Sequence, residues 1–331
     1  MAKAKAIKNS IVKKYNLSGE RYNAAENFHL NKQQAIKFIQ ELKAKSDFMS
    51  LINIFQVYHP EWDKLVSDKG VKVTGRQFES RNTAVIERNG ERYKLAETDS
   101  GVFITWDLLD HITNYEEDPL TFYEDFANTQ IISDMLKIGW HGESLAYNTT
   151  QINLSDVNKG WLTLLAEQRP QNMIQSGTET NKIKIFGEGA DFKNLEKLAL
   201  ALRNKLAEQH RDRNDLVFLV GAELLSSEPS NIIELSGEKT TNDLLLSNHY
   251  LANNFGGMRV ITPPNFPTKC AAVTSFKNLS IYTVGESHRR SMYDDEDNKG
   301  YVHRYYRTEG YVVEDLGLIS AINYKHVILG E

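Results

Sequence analysis

Two blocks of charge in the C-terminal third of the chain hold the side chains best suited to chemistry. Histidine and carboxylate groups serve acid–base catalysis and metal binding. Opposite charge blocks on either side of a turn, however, suit a surface that meets a copy of itself, because complementary charge fixes the register between partners. We therefore predict that the two blocks supply inter-subunit contacts, namely His288, Arg289, Arg290, Asp294, Asp295 and Asp297. The alternative is that the blocks neutralise each other within one turn.

Other motifs that carry chemistry are missing or incomplete in the sequence. It contains no GxxxxGK[ST] loop, no GxGxxG after a strand and no HExxH pair. Cys270 is the single cysteine, which excludes a disulfide within the chain and a paired-cysteine zinc site. Residues 295–300 half resemble a calcium loop, but Lys299 and Tyr306 occupy positions that need oxygen ligands. We predict no catalytic residue, no metal and no cofactor.

The bulk composition is that of a soluble globular protein. The chain has 331 residues with 40% hydrophobic and 25% charged side chains, which suits one large or two moderate domains. Its formal net charge of −5 argues against tight binding to nucleic acid. No apolar run approaches the roughly 20 residues that span a bilayer, and the N-terminus has no apolar signal sequence. These features predict a protein made in the cytoplasm.

The first third of the chain combines a lysine-rich start with a helix and a polar hairpin. Asn31 and Gln34 form a capping box, and the apolar spacing after them predicts a helix that ends near Ser46. Residues 51–57 have the pattern of a strand. Short β-type segments at 71–73, 84–86, 92–95 and 102–106 follow, with a tight turn predicted at Asn89-Gly90. This hairpin has little core of its own and needs another surface to lie on.

The rest of the chain mixes helices and strands. Asp118-Pro119 opens a long helix that extends to about Trp140, with Asp118 as its cap. Further helices are predicted at 157–168 with Ser155 or Asp156 as cap, at 192–210 with Asp191 as cap, and at 244–253. Strands are predicted at 216–220, 258–261, 270–276, 279–284, 301–306 and 310–324. Arginines and tyrosines alternate in the late strand, which predicts one tyrosine face and one charged face. The irregular order of these elements indicates the α+β class.

Four sequence blocks together resemble one known family. They are SDFMSLINI (46–54), GWL (160–162), NLSIYTVGESHRR (278–290) and YVVEDLG (311–317). Their order and spacing are similar to those of the major capsid proteins of peduovirus-type tailed phages. The resemblance implies the Hong Kong 97-type capsid fold and no catalytic activity. A non-capsid phage protein, such as a scaffold or tail component, and an enzyme with a non-standard site are the alternatives.

The resemblance also implies a domain plan and a set of partners. The plan gives an N-terminal arm (1–50), a strand with an extended hairpin loop (51–115), a peripheral domain with a spine helix at 119–140 (116–190), an axial domain (191–275) and strands that return to the peripheral domain (276–331). The expected partners are copies of the chain in hexamers and pentamers, scaffolding and portal proteins, and double-stranded DNA held without sequence specificity. The expected location is the virion, after assembly in the host cytoplasm, with no membrane contact.

Overall fold

The computed structural model describes residues 27–64, 74, 91–115, 119–228 and 254–330. Within these ranges the helices are α1 (Lys32–Ala44), α2 (Asp47–Leu51), α3 (Trp106–Tyr115), α4 (Pro119–His141), α5 (Trp161–Gln168), α6 (Leu195–Lys205) and α7 (Ala222–Ser226). The strands are β1 (Asn27–His29), β2 (Asn53–Val57), β3 (Glu61–Asp63), β4 (Arg92–Lys94), β5 (Ala96–Thr105), β6 (Met173–Ile174), β7 (Ile183–Ile185), β8 (Val217–Val220), β9 (Asn254–Phe255), β10 (Met258–Ile261), β11 (Ala271–Thr274), β12 (Leu279–Val284), β13 (Arg289–Asp295), β14 (Gly300–Val313), β15 (Ser320–Ile322) and β16 (Val327–Leu329).

The first sheet is built around the long strand β14. Its six strands follow the order β1-β13-β14-β12-β2, with β5 also paired to β14. Glu309 pairs with Ala96 of β5 and with Thr283 of β12, so these two strands flank β14 on opposite edges. The strands are antiparallel except for the parallel pair β12 and β2. The sheet therefore joins the early strands β1, β2 and β5 to the late strands β12, β13 and β14.

The second sheet has hydrophobic side chains on both faces. Its order is β6-β15-β11-β8-β10-β9. Val217 and Leu219 of β8 pack into the core that contains α4 and α5, whereas Phe218 and Val220 pack into the core that contains α6. A strand buried on both faces needs a continuous apolar run, which explains the Val-Phe-Leu-Val sequence of β8.

Several predicted elements are confirmed. Asn31 and Gln34 form the reciprocal capping box at the start of α1. Pro119 is the first residue of α4, which ends at His141, one residue after the predicted end. The strands predicted at 216–220 and 258–261 correspond to β8 and β10, each within one residue. These are the segments whose local signals agree with their packing.

Two predicted helix starts are wrong. Helix α5 begins at Trp161 rather than near Val157, because the Asp156 carboxylate accepts the backbone N–H groups of Thr150 and Gln151. Helix α6 begins at Leu195, with Asn194 as its cap. Asp191, the predicted cap of α6, accepts the backbone N–H groups of Thr178 and Lys184. Both predicted caps, Asp156 and Asp191, therefore bond to the loop before the helix and not to the first turn of the helix.

The C-terminal strand pattern is also different from the prediction. A single strand, β14, covers both the 301–306 segment and the start of the 310–324 segment. Two 3₁₀ turns, at Leu316–Leu318 and Tyr324–His326, flank the short strand β15. The predicted strands at 71–73 and 84–86, the Asn89-Gly90 turn and the helix at 244–253 lie outside the described residues.

Candidate subunit interface

The cationic block lies where the chain passes from β12 into β13. Strand β12 ends just before Gly285, as predicted, and β13 begins at Arg289. Side chains alternate between the faces of an extended chain, so His288 and Arg290 point inward and Arg289 points outward. His288 and Arg290 are each 1% exposed. Arg289 is exposed, and its guanidinium lies 5.9 Å from the centre of the Tyr306 ring.

The inward side chains form a hydrogen-bonded network beneath the first sheet. The Nδ1 atom of His288 lies 2.6 Å from the Tyr305 hydroxyl, and its Nε2 atom lies 2.5 Å from Oγ1 of Thr283. Arg290 donates from Nε to Nε2 of His303 at 3.1 Å. Its guanidinium also lies 4.8 Å from the centre of the Phe38 ring, so α1 covers the network. His288 and Arg290 are therefore buried inside their own subunit, whereas Arg289, another of the predicted contact residues, is exposed to solvent.

A buried ion pair continues the network along β14. Arg307 donates to Glu309 from Nε at 2.7 Å and from Nη2 at 2.8 Å, and their side chains are 2% and 1% exposed. Arg307 also donates from Nη1 to Oγ of Ser100 on β5 at 2.8 Å. A desolvated ion pair is tolerated only when its geometry is good and its remaining hydrogen-bonding groups are satisfied. This pair meets that condition through its bidentate contact.

The ion pair overturns the predicted division of β14 into a tyrosine face and a charged face. The buried face holds both types, since Tyr305, Arg307, Glu309 and Tyr311 are all at most 5% exposed. The tyrosine rings pack against aromatic residues of the helices: Tyr305 lies 4.9 Å from Phe38, centre to centre. The charges remain inside because they neutralise each other rather than facing water. The sequence could have indicated this pair, because Arg307 and Glu309 have opposite charges and, being two residues apart in a strand, point to the same face.

The network is closed to substrates. Thr283, His288 and Tyr305 would be the candidate hydroxyl, base and acid, but they are 3%, 1% and 1% exposed. A catalytic group has to come within hydrogen-bonding reach of a substrate, and these side chains bond to one another below the surface instead. The arrangement therefore connects β12 with β14 inside the subunit.

Burial and neighbouring cations keep both histidines of the network neutral. Desolvation, with a further contribution from Arg307, lowers the pKa of His288 from 6.5 to about 4. Desolvation and then Arg290 hold the pKa of His303 well below its usual range. Both imidazoles thus favour the uncharged form in the folded subunit.

We expect acid to destabilise the subunit through these histidines. The unfolded chain binds a proton near pH 6.5, whereas folded His288 binds one only near pH 4. The contribution of His288 to the free energy of unfolding is therefore complete above pH 6.5 and is lost as the pH falls towards 4. Between pH 7.5 and 5.0 this loss amounts to about 2 kcal/mol for His288 alone. Urea unfolding at both pH values measures this fall. His288→Gln should reduce it and His59→Gln, at an exposed site, should not; an equal fall in all three proteins would contradict the assignment.

The acidic block lies at the other end of β13, on the turn into β14. Glu296 and Asp297 are exposed and Asp295 is half-buried. The Asp295 carboxylate accepts the backbone N–H of Asn298 at 3.0 Å and its side-chain amide at 2.9 Å, and these bonds lower the pKa of Asp295. Asp294 pairs with Tyr301 across the hairpin through the backbone. Asp295–Gly300, the segment that half resembled a calcium loop, thus closes a β-hairpin.

The two blocks are separated by the length of a strand rather than by one turn. Arg289 and Asp295 are the first and last residues of β13. At about 3.3 Å per residue their backbones lie roughly 20 Å apart, which is far beyond the length of a salt bridge. Mutual neutralisation within one turn is therefore excluded for this pair.

Within the described ranges no three His, Cys, Asp or Glu side chains are placed to share a metal ion. None of the helices described here has the length and hydrophobicity to cross a bilayer.

Comparison with known proteins identifies the fold and the family. The profile of the family described as "Phage major capsid protein, P2 family" matches residues 4–324. The chain is 26% identical to the protein "Capsid proteins" of Escherichia phage P2 over 294 residues, which cover 83% of this chain and 80% of that protein. It is 25% identical to the "Major capsid protein" of Serratia phage KSP20 over 292 residues, which cover 83% and 82%.

Solved capsids have the same fold. The structure titled "Satellite phage P4 procapsid including size determination (Sid) protein" superimposes with a TM-score of 0.77 at 19% identity, covering 98% of each chain. "Cyanophage A-1(L) capsid asymmetric unit" gives a TM-score of 0.51 at 13% identity, covering 83% of this chain and 91% of that chain. The predicted α+β capsid fold of the Hong Kong 97 type is confirmed, as is the resemblance carried by the four sequence blocks. The chain belongs to the P2 family of phage major capsid proteins.

Proposed function

We propose that the chain assembles as hexamers and pentamers into the icosahedral head of a tailed phage and encloses double-stranded DNA. The observation that carries this proposal is the family match over residues 4–324, together with a capsid fold that covers 98% of the chain. Assembly would need only weak contacts from each subunit, because a lattice repeats them many times. The chain would then act as a building block without catalytic activity.

The outward residues of the β13–β14 hairpin are the proposed contacts between neighbouring subunits. Arg289 and the acidic tip at Asp295–Asp297 carry opposite charge at opposite ends of one rigid strand. Each end can therefore meet a different neighbour of complementary charge, which sets the register of the lattice. The buried network beneath β13 fixes the direction in which both ends point.

Two cores in the subunit support a division into a peripheral and an axial domain, although β7 and β16, which lie outside 191–275, also contribute to the second core. Helix α4 and the first sheet would form the peripheral domain, with α4 as its spine. The second core, with Leu195, Leu198 and Leu202 of α6, would belong to the axial domain at 191–275. Residues 32–51 of the proposed arm form α1 and α2, which bury Phe38 and Met49. The bounds of these domains remain proposals.

The proposed partners beyond the subunit itself are scaffolding proteins, a portal protein and packaged DNA. A net charge of −5 suits a shell that lies near DNA without holding it tightly. The mature location would be the virion, with assembly in the host cytoplasm.

The purified chain is expected to form capsomers or closed shells. Gel filtration with light scattering, followed by negative-stain electron microscopy, measures the size and shape of the particles. A scaffold would give elongated helical particles and a tail component would give tubes. A stable monomer or small oligomer at all concentrations, with and without the other head proteins of a related phage, would contradict the proposal.

A further inference from the structure

Strand β5 forms one edge of the first sheet. Its ten residues pair with β14 from Thr105 to Ala96 without a bulge, and no other strand within the described ranges pairs with its outer side. In an antiparallel strand the backbone groups of every second residue point away from the partner strand. The outer side of β5, which we call the β5 edge, therefore presents a row of N–H and C=O groups that is about 33 Å long.

One half of the β5 edge lacks the features that keep edge strands apart from other chains. Such strands are usually short, or they carry lysine, proline or a bulge. Residues 101–105, Gly-Val-Phe-Ile-Thr, contain no charge and no proline, and Phe103 is 45% exposed. An uncharged edge of high β-propensity pairs readily with another extended segment. We therefore expect a further segment to cover this edge.

Carboxylates flank the uncharged stretch on both sides. Residues 95–115 contain four acids and no lysine or arginine. The acids are all exposed, and they are Glu97, Asp99, Asp107 and Asp110. A segment that covers the β5 edge should therefore carry positive charge on both sides of an apolar centre, because complementary charge fixes the register between partners.

Residues 1–19, which we call the lysine segment, have this pattern. The lysine segment contains five lysines and no acid. The β-branched residues Ile11 and Val12 lie between the lysines, which are Lys3, Lys5, Lys8, Lys13 and Lys14. The lysine segment is therefore complementary to the β5 edge in the sign of its charge, and its apolar centre favours an extended backbone.

The lysine segment can reach the β5 edge of its own subunit. Asn27 of β1 pairs with Ser291 of β13, which pairs with Arg304 of β14. Arg304 pairs in turn with Gly101 of β5, so all four residues lie in one row across the sheet. A strand added beyond β5 would lie four inter-strand spacings from β1, which is about 19 Å. Residues 20–26, when extended, are long enough to cover this distance, and the lysine segment remains for the edge.

We propose that the lysine segment adds to β5 of its own subunit as a further strand and covers the β5 edge. A short tether gives the segment an effective concentration on the order of millimolar at its own edge, which favours it over a second copy of the chain. The added strand would block pairing between the β5 edges of different subunits, so it would act as an autoinhibitory contact. This inference concerns the single subunit and does not depend on the proposed shell.

The first test measures hydrogen exchange of the β5 amides in the unassembled subunit at low ionic strength. The triple variant Lys3→Glu, Lys5→Glu, Lys8→Glu should release the lysine segment, because like charges repel, and the outward amides of 96–105 should exchange at least tenfold faster. The matched control with arginine at the same three positions should exchange like the wild type. The amides of α6 should exchange alike in all three proteins, which shows that each is folded. Equal exchange of β5 in the three proteins would overturn the inference.

The second test identifies the copy of the chain that supplies the segment. A carbodiimide joins a lysine to a carboxylate that it contacts directly. In a mixture of unlabelled and ¹⁵N-labelled unassembled subunits, mass spectrometry should find the lysine segment joined to Glu97, Asp99 or Asp107 within one label, with Glu208, an exposed acid just after α6, unlinked. Links between the two labels would assign the segment to a second copy, and the absence of links to β5 and α3 would leave the edge uncovered. Either result would overturn the inference, and neither bears on whether the wild type forms particles.

Discussion

Glu309→Gln is expected to lower the free energy of unfolding of the subunit by about 3–5 kcal/mol, because it leaves the guanidinium of Arg307 buried without a counter-charge. Arg307 is 2% exposed, and a guanidinium stays protonated inside proteins, so it cannot lose its proton to relieve the unpaired charge in the variant. In the wild type both carboxylate oxygens accept from the guanidinium, at 2.7 Å and 2.8 Å, whereas Gln offers one acceptor oxygen and sets an NH2 donor against the other N–H group. Urea unfolding of the unassembled subunit at pH 7.5 measures the change.

A second ion pair in the chain provides a matched control. Arg213 binds Asp215 with the same spacing of two residues and the same bidentate geometry, at 2.8 Å and 2.7 Å, but the side chains are 42% and 50% exposed. Asp215→Asn should therefore change stability by at most about 1 kcal/mol. If both variants lost the same stability, burial would not be the cause.

A double variant separates the charge from the packing at the buried pair. Arg307→Met combined with Glu309→Leu removes both charges and fills a similar volume. Replacing a whole buried pair by apolar residues is often neutral or stabilising. The double variant should thus be more stable than Glu309→Gln. If the double variant were as unstable as Glu309→Gln, the ion pair itself would stabilise the subunit, and the unpaired charge of Arg307 would not explain the loss.

Local sequence signals predicted the elements that local energetics control. The capping box of Asn31 and Gln34 and the proline that opens α4 act within one turn of helix, so their effect is visible in a short window. Asp156 and Asp191 carried the same kind of cap signal and were misread. Their carboxylates bind backbone N–H groups of loop residues five to thirteen positions earlier in the chain, and that competition depends on the path of the loop.

The charged blocks at the candidate interface also show that local sequence signals do not reveal which side chains the fold buries. The sequence identified the segment 288–297 and its family, but it did not reveal that the residues after Gly285 enter another strand. Strand β13 then decides which side chains are buried: Arg290 faces Phe38, and Arg289 faces solvent. The exposure of Tyr147 and Ile152, between α4 and α5, could not be predicted either, because apolar residues on the surface look like core residues until their accessibility is known.

The buried network joins the strands that carry the proposed contact residues. His288 joins β12 to β14 through Thr283 and Tyr305, and Arg307 joins β14 to β5 through Ser100. These bonds cross the strands that carry the charged hairpin. A contact surface on rigid elements keeps its geometry better than one on a loop. The polar core would therefore hold the proposed contact residues in place from beneath the sheet.

Charge reversal at the adjacent residues Arg289 and Arg290 should have very different effects on the stability of the subunit. Arg290→Glu places a carboxylate in the buried network and removes the cation over Phe38, so we expect a loss of at least about 4 kcal/mol and little soluble protein. Arg289→Glu changes an exposed side chain and should alter stability by no more than about 0.5 kcal/mol. Reversing both residues would therefore test folding rather than assembly.

Arg289→Glu alone is the variant that tests the charged contact. It should unfold at the same urea concentration as the wild type and yet give fewer shells, since it reverses the charge that we propose to face a neighbouring subunit. The defect should be largest at low ionic strength, where repulsion between exposed charges is least screened. Arg289→Lys, which keeps the charge, is the control. Normal shell yield from Arg289→Glu at low salt would remove Arg289 from the interface, while a folded, soluble Arg290→Glu subunit would contradict the buried role of its neighbour.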